Sequence, residues 1–134
     1  MPDCYLITDA GPEMVEITVF QSPSLLTIEN MLGEMAYWVA VKGERLRVLV
    51  DISASQSVQT PLGYVRYARF LLRHPKVRIA VFGGNRMAEQ QIAIVNQMGR
   101  SAQQLRMFPD RSRALSWLLT VRQTESPGSR PTER

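Results

Sequence analysis

Two short polar stretches hold the residues that could do chemistry. The first is Asp51-Ile-Ser53-Ala-Ser55-Gln-Ser57-Val-Gln-Thr60, a carboxylate followed by four hydroxyls. The second is Gly83-Gly84-Asn85-Arg86. A carboxylate can accept a proton or a hydrogen bond, and hydroxyls can accept phosphate. A glycine-rich turn before a helix can cradle an anion on its backbone amides, and Arg86 could pair with it. The same turn has a purely structural explanation: glycine reaches positive φ, and Asn85 caps the helix behind it.

The rest of the chain supplies no partners for catalysis. His74 and Cys4 are the single histidine and the single cysteine. One of each cannot build a Cys/His zinc site, and no internal disulfide can form. Nucleophilic catalysis needs a nucleophile with a base and an orienter, and one histidine at a helix end does not provide them. GxSxG, P-loop and GxGxxG patterns are absent. The expectation is therefore no enzyme, no metal and no cofactor. Cys4, in an apolar strand pattern, reads as a small buried hydrophobe.

The elements that must position the two stretches follow from hydrophobic period. Cys4–Thr8 and Met14–Phe20 read as strands, the second alternating Val15, Ile17 and Val19 with polar residues. Asp-Ala-Gly-Pro-Glu between them is turn chemistry, which makes a hairpin. From Pro23 to Val41 the period changes: Leu25, Ile28, Leu32, Met35 and Val39 mark one helix face, with Ser22 or Thr27 as cap and Gly43 at the end. Leu46–Asp51 is a nearly continuous apolar strand, the kind buried on both faces of a parallel sheet. Thr60–His74 is a helix with Leu62, Val65, Ala68, Phe70, Leu71 and Leu72 on its apolar side, stopped by Pro75. Val77–Phe82 is a buried strand. Arg86–Gly99 is a helix carrying Met87, Ile92, Val95 and Met98. Leu105–Phe108 is a short strand, and Asp110 caps a last helix to Val121 through which Ala114, Trp117 and Leu118 anchor it.

The order ββαβαβαβα predicts an α/β fold: one mixed sheet, parallel in its centre, with an opening antiparallel hairpin and helices covering it. Asp51 and the Gly83–Arg86 turn then leave the carboxyl ends of neighbouring strands, where open α/β sheets bind ligands. Residues 1–121 make a single domain. Residues 122–134 lack large apolar side chains and read as a disordered tail.

The chain has 134 residues, 45% apolar and 21% charged, which suits one soluble core. No apolar run is long enough to span a bilayer, and the N-terminus lacks the basic and apolar regions of a secretory signal, so the expected location is the cytoplasm. The formal charge is +4, with fourteen arginines scattered along the chain in no block; a nucleic-acid footprint would cluster on one face. Tyr37, Trp38, Tyr64, Tyr67, Phe70 and Met87 are more large apolar residues than so small a core holds, which predicts self-association, a homodimer at its simplest.

Three segments carry a resemblance: "RVLVDIS", "KVRIAVFGG" and "LRMFPDRSRALSWLL". In order and spacing, over residues 4–120, the chain resembles the SpoIIAA-like family, related to the anti-sigma factor antagonists (STAS domains) and grouped with the lipid-carrying SEC14-like (CRAL-TRIO) fold. The resemblance implies a small, non-enzymatic regulatory domain that binds a protein partner; the alternative it implies is a carrier of a lipid or other apolar ligand. Partner-switching STAS proteins have Asp-x-Ser, a gap, then Asp-Ser-Ser/Thr-Gly with a phosphorylated serine. Asp51, Ile52 and Ser53 match the first part. Gln59 stands at the second Asp, Thr60 at the phosphorylated serine, and Pro61-Leu62 where Ser-Gly would be. Thr60 is thus the candidate phosphorylation site, and Asp51, Ser53, Ser55, Ser57, Thr60, Gly83, Gly84, Asn85 and Arg86 form the candidate partner-binding edge.

Overall fold

The computed structural model describes residues 4–21, 24–55, 61–98 and 104–124. Five strands and four helices follow in the order β1 (Tyr5–Gly11), β2 (Met14–Val19), α1 (Leu25–Lys42), β3 (Arg47–Asp51), α2 (Pro61–Arg73), β4 (Arg78–Phe82), α3 (Arg86–Met98), β5 (Leu105–Phe108) and α4 (Arg111–Thr124). The strands form one sheet in the order β1-β2-β3-β4-β5, antiparallel between β1 and β2 and parallel from β2 to β5. This is the mixed, centrally parallel ββαβαβαβα sheet that the hydrophobic periods imply.

The strand order has a direct consequence. From β2 onward each crossover advances the sheet by one strand in the same direction. Crossovers of one hand must then put their helices on one face. Val15, Ile17, Val48, Val50, Ile79 and Val81 point to that face and form the main core with Ile28, Met35, Leu71 and Val95 of α1, α2 and α3. The intervening positions Leu49, Ala80 and Phe82 point the other way, to a smaller core closed by Ala114 and Leu118 of α4. Both faces of β3 and β4 are therefore buried, which is why these two strands read as unbroken apolar runs.

Local chemistry sets the ends of the elements. Ser24, not Ser22 or Thr27, is the cap of α1: its Oγ accepts from Thr27 N at 3.2 Å. Gly43 ends the helix at φ +112°, with its N–H on Val39 O at 2.8 Å. Asp110 Oδ1 accepts from Arg113 N at 2.9 Å at the start of α4. The hairpin is tighter than its turn residues imply, since β1 continues to Gly11 through an irregular register between Asp9 and Gly11. α4 runs to Thr124, past Val121 into the segment expected to be a tail; residues 125–134 lie outside the described residues.

Several polar residues bind elements together. Gln104 is buried, and its Nε2 donates to Leu71 O (3.2 Å) and His74 O (2.9 Å), satisfying carbonyls at the end of α2. Arg47 is buried at the start of β3 and donates to Lys76 O at 3.3 Å. Arg66 of α2 pairs with Glu29 of α1 at 2.8 Å and so joins the two helices. His74 lies against Phe70, and burial, with Arg73 adding to it, lowers its pKa. Cys4 is partly buried and accepts a weak contact from Thr27 Oγ1 at 3.9 Å.

Lys42 ties the end of α1 to the hairpin, reaching Asp9 Oδ1 at 2.8 Å and the Gly11 carbonyl. The Lys42 hydrogen bond is the largest cause, and the Gly11 N–H the next, of a lowered Asp9 pKa. A depressed carboxylate pKa adds stability above the unfolded-state pKa, and that stability disappears as pH falls through the folded value. Asp9 is exposed, so the effect is small. Wild type should exceed Asp9→Asn in stability at neutral pH, and the difference should vanish well below pH 3.8, the ordinary Asp value. Urea unfolding across pH checks this, and a gap that persists in strong acid rules the ion pair out as its source.

The helix faces differ from the periodic reading in two places. In α3 the buried residues are Ala88, Gln91 and Val95, while Met87 and Met98 are 49% and 44% exposed. In α2, Leu72 is exposed and Ala68, Phe70 and Leu71 face the core. Of the large apolar residues expected to be surplus, Phe70 is buried, Trp38, Tyr64 and Tyr67 pack against the core, and Tyr37 and Met87 remain exposed. Among the described residues no helix is long and apolar enough to cross a membrane.

Candidate functional site

The two polar stretches meet. Asp51 and Phe82 are register partners at the carboxyl ends of β3 and β4. Pairing continues one residue further, with Ile52 N donating to Phe82 O at 3.1 Å. Gly83 then turns at φ +87° directly against Ser53. A Cβ at position 83 would stand 2.8 Å from Ser53 Cβ and 2.9 Å from Ser53 N. No side chain fits there. Gly84 has an ordinary backbone but no room: a Cβ would lie 2.7 Å from Ile52 Cδ1 and 3.0 Å from Ala88 Cβ and Met107 Cε. Gly83 is thus explained by close approach of two turns, and Gly84 by side chains of Ile52, α3 and β5 packed over it. Gly83 lets the β3 and β4 turns press into one surface.

Within that surface the residues divide by role. Asp51 Oδ1 accepts from Ser53 N at 2.9 Å and Ser53 Oγ at 2.6 Å, closing a side-chain turn over the strand end. The carboxylate is occupied in shaping the loop. Ser55 is buried, its N and Oγ both directed at Ile52 O at 3.1 and 3.2 Å, so it turns inward. Asn85 caps α3: its Oδ1 accepts from Ala88 N at 3.0 Å, an interaction typically worth about 0.5–2 kcal/mol. Ser53, Asn85 and Arg86 are exposed to solvent. Ser57 and Thr60 lie outside the described residues.

Arg111, at the start of α4, lies to one side of this edge. It pairs with Glu16 of β2 at 3.0 Å. That bond is the main cause of its raised pKa, with Asp51 a lesser contributor through its charge. Among the described residues no group of three or more His, Cys, Asp or Glu comes together in a metal-binding arrangement.

Beneath the edge, on the face of α1, α2 and α3, is an apolar cavity of about 70 Å³. Ile52 and Ala88, the residues that crowd Gly84, belong to its wall. Sequence reasoning located the edge but missed this cavity, whose wall is drawn from all three of those helices and from β2 to β5. It also missed Gln91, the polar residue on the cavity wall, because a glutamine among apolar neighbours reads as solvent-facing.

No family model matches this sequence, and no curated protein matches it. Among solved structures, the chain is similar to the crystal structure of an uncharacterized protein of the DUF3478 family with a SpoIIAA-like fold, from Shewanella loihica PV-4. The two share 18% identity with a TM-score of 0.60, over 85% of this chain and 93% of that one. The sheet order, the crossovers and this likeness agree, and the fold of this chain is SpoIIAA-like.

Proposed function

We propose that this domain is a non-enzymatic, cytoplasmic interaction module of the STAS type, which binds a protein partner through the edge formed by the β3 and β4 turns. The observation that carries the reading is the contact of Gly83 with Ser53, which leaves no room for a side chain. It makes two loops into one preorganised surface and presents Ser53, Asn85 and Arg86 on it. Preorganisation lowers the ordering cost of association. Asp51, Ser55 and the glycines support the surface from behind. Arg86 is the one cation among the described residues of the edge, which suits a protein partner better than a nucleic acid.

The size of the cavity weighs against the lipid-carrier alternative. Drug-sized ligand pockets are several hundred Å³, and a cavity of about 150 Å³ takes up benzene. The cavity here, about 70 Å³, is too small for an acyl chain.

A photo-crosslinking amino acid at Ser53 tests the edge. Crosslinked to the native cell's proteins, it should capture a defined partner that a crosslinker at Leu72, exposed on α2, does not. In the purified complex, Arg86→Ala should weaken binding and spare the fold. Thr60→Asp should weaken it through the added charge, and Thr60→Ala should keep it. Full binding by Arg86→Ala and Thr60→Asp together would show that the edge is only a connection.

Self-association belongs to the same proposal. Leu26, Tyr37 and Val41 on the outer side of α1 are 67%, 60% and 57% exposed, an apolar stripe on a helix that is apolar on its inner side too. Sedimentation equilibrium should show a concentration-dependent dimer that Tyr37→Glu dissociates. A wild-type monomer at high concentration removes this part of the proposal.

A further inference from the structure

β5 ends the sheet, and among the described residues no strand lies beyond it. Ile79 N donates to Gln104 O at 2.7 Å. With that register, Gln104, Arg106 and Phe108 turn their backbone groups to β4, and Leu105 and Met107 turn theirs outward. The outward side already holds an amide. Asn96 of α3 donates from Nδ2 to Leu105 O at 2.6 Å, where the N–H of a neighbouring strand would stand. The Oδ1 of the same side chain is buried without a hydrogen-bond partner. Met107 presents its N–H and C=O to the same side with no strand to receive them.

Beside this edge stands a cation held in place without a counter-ion. Arg106 is exposed, and its Cζ lies 5.3 Å from the ring centre of Phe108 and 5.5 Å from that of Trp117. The two rings are 5.5 Å apart. Their faces attract the guanidinium, and no carboxylate or carbonyl among the described residues binds it. Lys42, which also lies over an aromatic ring, is paired with Asp9, and Arg111 and Arg113 of α4 are paired with Glu16 and Asp110. Stacking restricts the Arg106 side chain, so its forked donors are oriented before any anion arrives.

We propose that β5 accepts an extended segment of a protein partner as a sixth strand, with a carboxylate on that segment paired to Arg106. Pairing with the outward N–H and C=O of Met107 supplies affinity, and the side chains along the guest strand supply selection. The guest residue beside Arg106 carries the acid, a cross-strand charge pair. Two residues along, on the same face, the guest side chain meets Phe108 and is apolar or aromatic. A polypeptide offers the row of N–H and C=O groups that an open strand edge requires. A nucleic acid stacked on Trp117 would leave Met107 unpaired. This surface is separate from the β3 and β4 turns and does not require Ser53 or Arg86.

Selection of a random heptapeptide library on the full-length chain, with depletion on the Arg106→Met variant, tests the site. Methionine keeps an unbranched stem over the rings and removes the charge; equal unfolding midpoints confirm that its fold is intact. Enriched peptides should carry Asp or Glu with an apolar or aromatic residue two positions away. The synthetic consensus peptide should bind Arg106→Met about tenfold more weakly than wild type, the loss expected for a hydrogen bond to a charged group, and replacing its acid by the amide should cost as much. It should slow hydrogen exchange at the Met107 N–H. N-methylation of one alternating set of its residues should abolish binding, and methylation of the other set should not. Failure to enrich any peptide, enrichment of peptides without an acid, or binding that leaves Met107 exchange unchanged would each overturn the proposal. Displacement of the peptide by oligothymidylate at equal concentration would assign the arginine and its rings to a nucleobase instead.

Discussion

Gly83→Ala should lower the unfolding free energy by about 2–6 kcal/mol, the sum of backbone strain at positive φ (about 1–3) and overpacking against a neighbour (about 1–3). The new methyl would stand 2.8 Å from Ser53 Cβ and 2.9 Å from Ser53 N, and backbone cannot swing away as a side-chain tip can. Gly43→Ala is the control. Gly43 also has positive φ, at +112°, but nothing lies within 4 Å of an added Cβ, so only strain remains there. The difference between the two variants isolates the steric contact of the β3 and β4 turns. Equal losses at 83 and 43 would mean that the Ser53 turn moves aside freely. The edge would then not be preorganised, and the proposed partner surface would lose its main support.

Leu118→Ala should cost about 2–5 kcal/mol, the range for truncating a fully buried leucine. Leu118 has no exposed surface and sits with Ala114, Leu49, Ala80 and Phe82 in the smaller core. Among the described residues α4 is the helix that closes this face. The small side chains of Ala114 and Ala80 let helix and sheet approach, and Leu118 fills what remains. Trp117 is only partly buried, against Phe108 at 5.5 Å between rings, with Arg106 over it. Its removal should cost less than that of Leu118, and Leu119→Ala, at a side chain 45% exposed, should change stability by no more than about 0.5 kcal/mol. Urea unfolding of the three variants ranks them. A loss at Leu118 below about 1 kcal/mol would mean that α4 is not docked through this residue. Domains of this size have about 5–15 kcal/mol in total, so either change removes a substantial part.

How far the site could be read in advance differs residue by residue. Asp51, Ser53, Gly83, Gly84, Asn85 and Arg86 were all placed at one sheet edge by strand order alone, because successive parallel strands put their carboxyl ends together. Asn85 as a cap and Gly83 at positive φ are local facts, legible from residue type. The inward turn of Ser55 and the engagement of Asp51 by Ser53 were not legible, since they depend on where the loop carbonyls and hydroxyls come to lie. The tight fit at Gly84 depends on Ile52 and Met107, residues distant in sequence.

The sequence by itself determined the order and type of every element, the antiparallel opening, the parallel centre and the stops of α1 and α2. These follow from periods of two and 3.6, from caps, and from proline and glycine, all of which act within a few residues. Tertiary structure alone decided which side of α3 turned inward. α3 offers two nearly equal apolar stripes, one through Met87, Ile94 and Met98 and one through Ala88, Ile92 and Val95. Packing beside α2 over β5 selected the second and carried Gln91 inside with it. In α1 the face that the period marks, Ile28, Leu32, Met35 and Val39, is the one that packs, with Met31 beside it. The cavity exists for the same reason: it is the space that three helices, each fixed by its own best fit to the sheet, leave between them.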